Sequence, residues 1–252
     1  MILIIFILGL IFGSFLNVCI YRIPRGESIF FPPSRCPNCK ITLKVKDLFP
    51  LISHGLKRGR CSYCGEKINL RYPLMEGITG ILYVLIYLSF GFSIEFIFYI
   101  GLTSLLLIIA GIDYDHQVIP DPFVMLGLGG GLLYHFIGSI MSHGLGGIVH
   151  GFIGLVIGGG FLLLIAVLSK GGMGGGDIKL MGMLGFWLGW KLTIIALFFS
   201  FLFGGLISIF LLACKIKNKK DMIPFGPFLC LGTFVSLLYG NVIFQWYLQL
   251  FL

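Results

Sequence analysis

Two groups of residues in this chain are of types and spacings that carry chemistry. The first is Cys36-Pro37-Asn38-Cys39, followed after twenty-one residues by Cys61-Ser62-Tyr63-Cys64-Gly65. One Cys-x-x-Cys knuckle offers two thiolates to an ion, and two knuckles fill the tetrahedral shell of a structural zinc, leaving no open position for a substrate. The spacing predicts Zn2+ held by Cys36, Cys39, Cys61 and Cys64. The odd total of seven cysteines argues against a disulfide framework, and a redox dithiol would need only one pair. Cys19, Cys214 and Cys230 lie in apolar runs and read as packing residues.

The second group is acidic. Ionisable residues in or beside an apolar span are costly and are functional candidates for that reason. Ile112-Asp113-Tyr114-Asp115-His116-Gln117-Val118-Ile119-Pro120-Asp121 holds three carboxylates. Asp121, followed by Pro122, suits a helix start, Asp115 is expected to reach water or a neighbouring loop base, and Asp113 ends a long apolar run. Gly174-Gly175-Gly176-Asp177-Ile178-Lys179 supplies a further carboxylate after glycines that permit close backbone approach. It is not a phosphate loop, since no Gly-Lys-Ser/Thr follows and no strand precedes it. Two carboxylates at one depth suit an aspartic-protease mechanism, with an ionised Asp activating water and a protonated partner polarising the scissile carbonyl. Helix-end dipoles predict Asp177 as the base and Asp113 as the acid.

These residues must be positioned by an unusual chain. Of 252 residues, 58% are hydrophobic and 11% charged, less than half the charge of an ordinary soluble domain. That composition excludes a water-soluble enzyme and predicts an all-α polytopic membrane protein. Apolar runs suggest about eight transmembrane helices, over 2–20, 74–91, 94–113, 122–141, 145–168, 178–189, 192–214 and 226–247. A single helix over 178–214 would be too long for one span, and Trp187-Leu188-Gly189-Trp190 is expected to mark an interfacial end. Gly147/Gly151 and Gly154/Gly158 have the spacing of close helix packing. The first twenty residues, without a basic start or a cleavage site, are expected to be a retained helix.

The net charge of +8 resides in residues 21–73, which carry eleven Lys and Arg against three acids. By the positive-inside rule this segment is a cytoplasmic loop near the lipid surface, so the basic balance does not imply nucleic-acid binding. Alternation then puts Lys170, Lys179, Lys215, Lys217, Lys219 and Lys220 on the cytoplasmic side, with both termini outside and Asp113 and Asp177 facing the cytoplasm. The expected organisation is transmembrane helix 1 over 1–20, a zinc-binding loop domain over 21–73, and a helical membrane core over 74–252 holding the aspartates.

The chain resembles the type IV prepilin leader peptidases, membrane aspartic proteases of the Gly-x-Gly-Asp class. The likeness runs through Gly13-Ser14-Phe15-Leu16-Asn17-Val18, the paired cysteine knuckles, Arg71-Tyr72-Pro73-Leu74-Met75-Glu76 and both acidic motifs. It implies that Asp113 and Asp177 are catalytic and that prepilins or pseudopilins are cut at the cytoplasmic face of a bacterial inner membrane. Many relatives also N-methylate the amine so exposed, using S-adenosylmethionine. Glu76 and Gly80 are candidates for methyl-donor binding by that resemblance alone, and the full cysteine loop looks like the form of bifunctional members. The alternatives are a peptidase without methylation, a non-enzymatic pilus or secretion assembly factor docking through its zinc loop, and a proton-relay transporter. The last fits poorly with acids gathered at one membrane face.

Overall fold

The computed structural model describes residues 1–251 apart from Pro37, Val45, Lys46, His143, Lys219 and Lys220. Three lysines counted above, Lys46, Lys219 and Lys220, thus lie outside the described residues, as does Pro37 of the first knuckle. The helices are α1 (Ile2–Arg22), α2 (Ile52–Leu56), α3 (Arg71–Phe90), α4 (Ile94–His116), α5 (Asp121–Ser142), α6 (Gly146–Leu168), α7 (Gly175–Ala213) and α8 (Gly226–Phe251). Among the described residues all but the short α2 are long and apolar enough to cross a membrane, and the only β-pairings are two isolated bridges. The chain is therefore an all-helical multi-pass membrane protein. It divides into two compact units, Met1–Ile108 and Ile109–Leu252.

In the first unit α1 and α3 approach at backbone distance. A Cβ on Gly9 would stand 2.6 Å from the Gly80 Cα, and one on Gly13 would stand 2.7 Å from the Glu76 Cα. The cysteine-bearing segment between these helices has little apolar core, and polar contacts brace it. Asp47 accepts hydrogen bonds from the Lys44 N–H at 3.0 Å and the Tyr63 hydroxyl at 3.0 Å and is ion-paired with Lys57. The Lys57 ammonium, backed by the Lys44 N–H and the Tyr63 hydroxyl, holds the Asp47 carboxyl well below the usual carboxylate range.

In the second unit α7 explains the sixth and seventh runs of the sequence. Its 39 residues would stretch about 58 Å as one helix, against a hydrocarbon core of about 30 Å. Gly189, at φ 69° and ψ 171°, breaks the helix, and glycine adopts that backbone without a Cβ penalty. Before the break α7 runs antiparallel to α6: Gly151 lies by the Phe186 carbonyl and Gly158 by that of Met181. After it the chain runs parallel to α6, since Gly158 also faces Thr193 and the Phe161 and Phe201 rings lie 6.0 Å apart. The helix doubles back at Gly189, and the Thr193 hydroxyl donates to the Gly189 carbonyl at 2.7 Å. The sequence division between 189 and 192 is thus borne out as two arms.

Trp187, next to the break, is buried; its indole N–H donates to the Gly127 carbonyl of α5 at 2.7 Å and its ring stacks on Tyr134. The polar edge that suits tryptophan to a membrane surface also satisfies a carbonyl inside a bundle. Cys19 and Cys230 are buried as packing residues should be, but Cys214, which closes α7, is exposed.

The glycine contacts give a direct test. A Cβ on Gly154 would fall on the Gly185 carbonyl, whereas one on Gly160 meets nothing within 4 Å. Gly154→Ala is expected to cost about 1–3 kcal/mol, read as a lowered unfolding temperature in detergent micelles, with Gly160→Ala close to the parent.

Candidate active site

Asp113 lies in the last turn of α4, inside the helix that the apolar run specifies, and is 5% exposed. A buried carboxylate needs hydrogen-bond donors. One comes from the far end of the sequence: the Gly226 N–H, at the start of α8, donates to Asp113 Oδ2 at 2.9 Å. The first N–H groups of a helix have no partner within it, and their partial positive charge favours an anion. Gly226 must be glycine here, because a Cβ would stand 2.6 Å from the same oxygen. Sequence reading missed this contact. Its signal was Pro224-Phe225-Gly226-Pro227, a turn with proline at a helix start.

Asp177 is the third residue of α7 and half-buried. Its carboxylate is hydrogen-bonded by the Gly174 N–H and lies within electrostatic reach of Asp113. Glycine next to it serves close approach, since a Cβ on Gly176 would stand 3.1 Å from the Ile119 Cβ. The two acidic motifs of the sequence therefore meet. Cys230, one turn beyond Gly226, feels both aspartates, a placement its apolar surroundings did not announce. Each aspartate has a backbone N–H at a helix start, so the helix-end argument no longer separates base from acid.

The other two carboxylates do different work. Asp115 is exposed. Asp121 opens α5, and its oxygens accept from the Lys179 ammonium at 2.8 and 2.9 Å. The pair is solvent-exposed, a class worth about 0.2–1 kcal/mol, and it ties the start of α5 to the first turn of α7.

In the first unit the four cysteine sulfurs lie within 4.8 Å of one another, with Cys36 and Cys64 3.9 Å apart. A tetrahedral ion with 2.3 Å bonds to sulfur sets neighbouring sulfurs about 3.8 Å apart, so the cluster fits a metal. The knuckles share one backbone pattern. Cys36 N–H donates to the Ile41 carbonyl and accepts at its own carbonyl from Lys40 N–H; Cys61 does the same with Glu66 and Gly65. Lys40 and Gly65 both take positive φ. The N–H groups of Tyr63 and Cys64 draw the Cys61 thiol down, while Cys39, against its hydrogen bond from Ile41, is pushed up by burial and the neighbouring Cys36 and Cys64 thiols, so the four sulfurs share their protons unequally.

Glu76 is 8% exposed, and its Oε2 accepts from the Leu51 N–H at 2.9 Å. It lines a cavity of about 290 Å³ between the cysteine loop and the ends of α1 and α3. Gly80, one turn on, is packed beneath Phe6 and Leu10 of α1.

Fold and site together define a polytopic helical membrane protein in which two aspartates meet at helix ends and a tetracysteine loop follows the first span. The comparisons carry this further. Residues 7–90 match the model of the bacterial peptidase A24 N-terminal domain, and residues 100–209 match that of the type IV leader peptidase family. A prepilin leader peptidase/N-methyltransferase of Bacillus subtilis (strain 168) is 35% identical over 247 residues, covering 98% of each chain. Proteins of the same name from Stutzerimonas stutzeri and Pseudomonas aeruginosa are 35% and 34% identical, each covering 96% of this chain and 92% of its own. No solved structure matches. The chain belongs to the type IV leader peptidase family.

Gly226→Ala tests the site geometry. It is expected to lower leader-peptide cleavage, the activity for which the family is named, at least tenfold. Gly205→Ala, whose Cβ would meet nothing within 4 Å, should cleave as the parent does.

Proposed function

We propose that this protein is a membrane aspartic endopeptidase that removes the leader of type IV prepilins and pseudopilins, and that it N-methylates the newly exposed terminal residue. The observation that carries the first activity is the meeting of Asp113 and Asp177, each held by a backbone N–H and each within the other's electrostatic reach. One carboxylate takes a proton from water as it attacks the scissile carbonyl; the other, protonated, donates to the carbonyl oxygen, and a proton then passes to the leaving amine. Two close carboxylates share a single proton readily, because they resist ionising together.

The second activity is supported by the names of the near-full-length relatives and by the complete cysteine loop. S-adenosylmethionine supplies an electrophilic methyl group when bound. Cys36, Cys39, Cys61 and Cys64 hold Zn2+, which folds a loop too poor in apolar residues to fold by burial. All four positions are filled by sulfur, so the ion is structural. The basic loop faces the cytoplasm of a bacterial inner membrane, and two crossings, α3 and α4, bring Asp113 back to the same side. The substrate is a segment whose hydrophobic helix already lies in the bilayer, and the cut falls where that helix leaves it. Components of pilus or secretion assembly are the expected neighbours.

Coexpression with a prepilin tests the dyad. Asp113→Asn and Asp177→Asn keep shape but remove the acid, and each should slow leader removal by about 10²–10⁴-fold; processing at the parental rate in either variant rejects the assignment. Metal analysis of the purified protein tests the loop: one zinc per chain is expected, with near-complete loss in a Cys36→Ser/Cys39→Ser double variant. Equal metal in both would remove the tetrathiolate site.

A further inference from the structure

Residues 29–33, shortly after α1, form an apolar tip that the peptidase chemistry does not use. Phe30 and Phe31 are 74% and 76% exposed, and Pro32 and Pro33 beside them are exposed as well. Phe49, just before α2, is also exposed. An apolar patch of this kind on a basic, polar loop marks a surface that something covers. Where the tip stands is set by Arg22, the last residue of α1. Its guanidinium donates to the Ser28 carbonyl at 2.9 Å, the Pro32 carbonyl at 2.7 Å and the Ile29 carbonyl at 3.5 Å. Side chains of a helix lean toward its N-terminus, so these bonds draw the tip back beside the last turns of α1.

The backbone of the tip is prepared for a place where water is scarce. The N–H groups of Phe30 and Phe31 both donate to Ser28 Oγ at 3.3 Å, and Pro32 and Pro33 have none, so these four residues present no free donor. Unsatisfied backbone groups are costly near lipid, whereas water would solvate them without help. Between the tip and α1 runs a cleft of about 410 Å³, walled by Ile11, Phe15 and Val18 of the helix and by Ile29, Phe30 and Pro32 of the tip. Ile11 to Arg22 is three turns, about 16 Å, so the cleft descends from the helix end into the span. Its polar lining is Ser14, Arg22 and Ser34. Ser14 is bonded to Glu76 and Arg22 to the carbonyls of the tip, which leaves a mainly hydrocarbon surface for an occupant to meet.

We propose that the Phe30–Phe31 tip enters the boundary between headgroups and acyl chains at the end of α1, and that a phospholipid acyl chain fills the cleft. Three observations favour lipid over a protein partner. The cleft continues the face of α1 formed by the exposed Ile4, Ile7, Leu8, Ile11 and Phe15, which a spanning helix turns to lipid. A helix about 10 Å across would fill about 1,300 Å³ over three turns, well beyond the cleft, whereas an acyl chain is slim enough to lie in it. Exposed basic residues flank the tip: Arg25, stacked on the exposed Tyr21 ring at 3.9 Å, and Arg35. Cationic side chains reach headgroup phosphates from such positions while aromatic rings sit at the interface below. Glu27, the acid between them, lines the cavity on the Glu76 side. Ser34, which follows the tip, accepts from the Leu43 N–H at 2.8 Å, so the first cysteine knuckle is moored to the bilayer through it.

The experiment uses the full-length protein with the photoreactive residue p-benzoylphenylalanine in place of Phe30 or of Phe31, reconstituted in nanodiscs of phosphatidylglycerol and phosphatidylcholine, irradiated and read by mass spectrometry. Adducts on phospholipid acyl chains are expected at both positions, at least tenfold above those from the same probe at Lys67, which is exposed beyond the second knuckle. Ser28→Ala, which frees the two N–H groups, should lower both yields at least threefold, and Ser28→Thr should restore them. Adducts at 30 and 31 no higher than at 67, or yields indifferent to Ser28→Ala, would overturn the insertion. Acyl adducts at 31 without any at 30 would remove the chain from the cleft. With a prepilin in the same nanodiscs the lipid adduct at 30 should persist; its transfer to the prepilin would reject lipid as the occupant and make the cleft a substrate groove.

Discussion

The reversal at Gly189 is the constraint on which the second unit depends. Without it α7 would end on the opposite side from where it begins, and α8 could not start beside Asp113. The Asp113–Gly226 hydrogen bond joins residues 113 positions apart, and it forms only because the second arm of α7 carries the chain back. One glycine at φ 69° thus decides whether a buried carboxylate finds a donor. The arms differ in length, as their partners require. The first is short and packs its Gly182 and Gly185 against Gly159 and Gly154 of α6, while the second is long and lies along α8, where Gly232 and Gly240 admit Ser200 and Leu192.

Much of this was legible in the sequence, for reasons that differ by element. Helices in a bilayer must satisfy their own backbone groups, so apolar runs bounded by Gly, Pro and charge report the spans directly. The observed ends at Arg22, Phe90 and Leu168 lie close to those expected. Knuckle spacing reports a tetrahedral site because the ligand geometry is local. Gly226 was not legible, because its importance lies in a contact over 113 positions and its sequence is that of an ordinary turn. Trp187 was legible in part: its place beside a helix break shows in the sequence, but the bond of its indole to the Gly127 carbonyl depends on the packing of α5.

The three carboxylates of residues 113–121 show how far residue type underdetermines role. They are of one chemistry and within nine residues, yet one is buried against a helix start, one is exposed and one is paired with Lys179. Helical phase separates them. Asp113 shares the buried face of α4 with Ile109 and Ile112, Asp115 falls on the other face, and Asp121 lies beyond the turn. The pairing of Asp121 with Lys179 does little for stability at a solvated surface. It does fix the start of α5 to the residue two beyond Asp177, which constrains the two acidic motifs relative to each other more than it strengthens either.

The same device recurs in both units and gives the glycines a second use besides helix packing. Gly13 brings α1 onto the α3 backbone at Glu76; Gly226 brings the start of α8 onto Asp113; Gly174, at the start of α7, offers its N–H to Asp177. At Asp113 and Asp177 the backbone N–H stands in for water, whereas at Glu76 the close approach of α1 only seats the residue and the Leu51 N–H supplies the donor. A side-chain donor would serve a soluble enzyme as well. A backbone N–H at a helix start has no partner within its helix, so pairing it with a carboxylate satisfies a group that would otherwise be orphaned, and the helix itself fixes its aim. Backbone donors at helix starts therefore hold these acids without any polar side chain being brought into the bundle, and glycine is the residue that lets them reach.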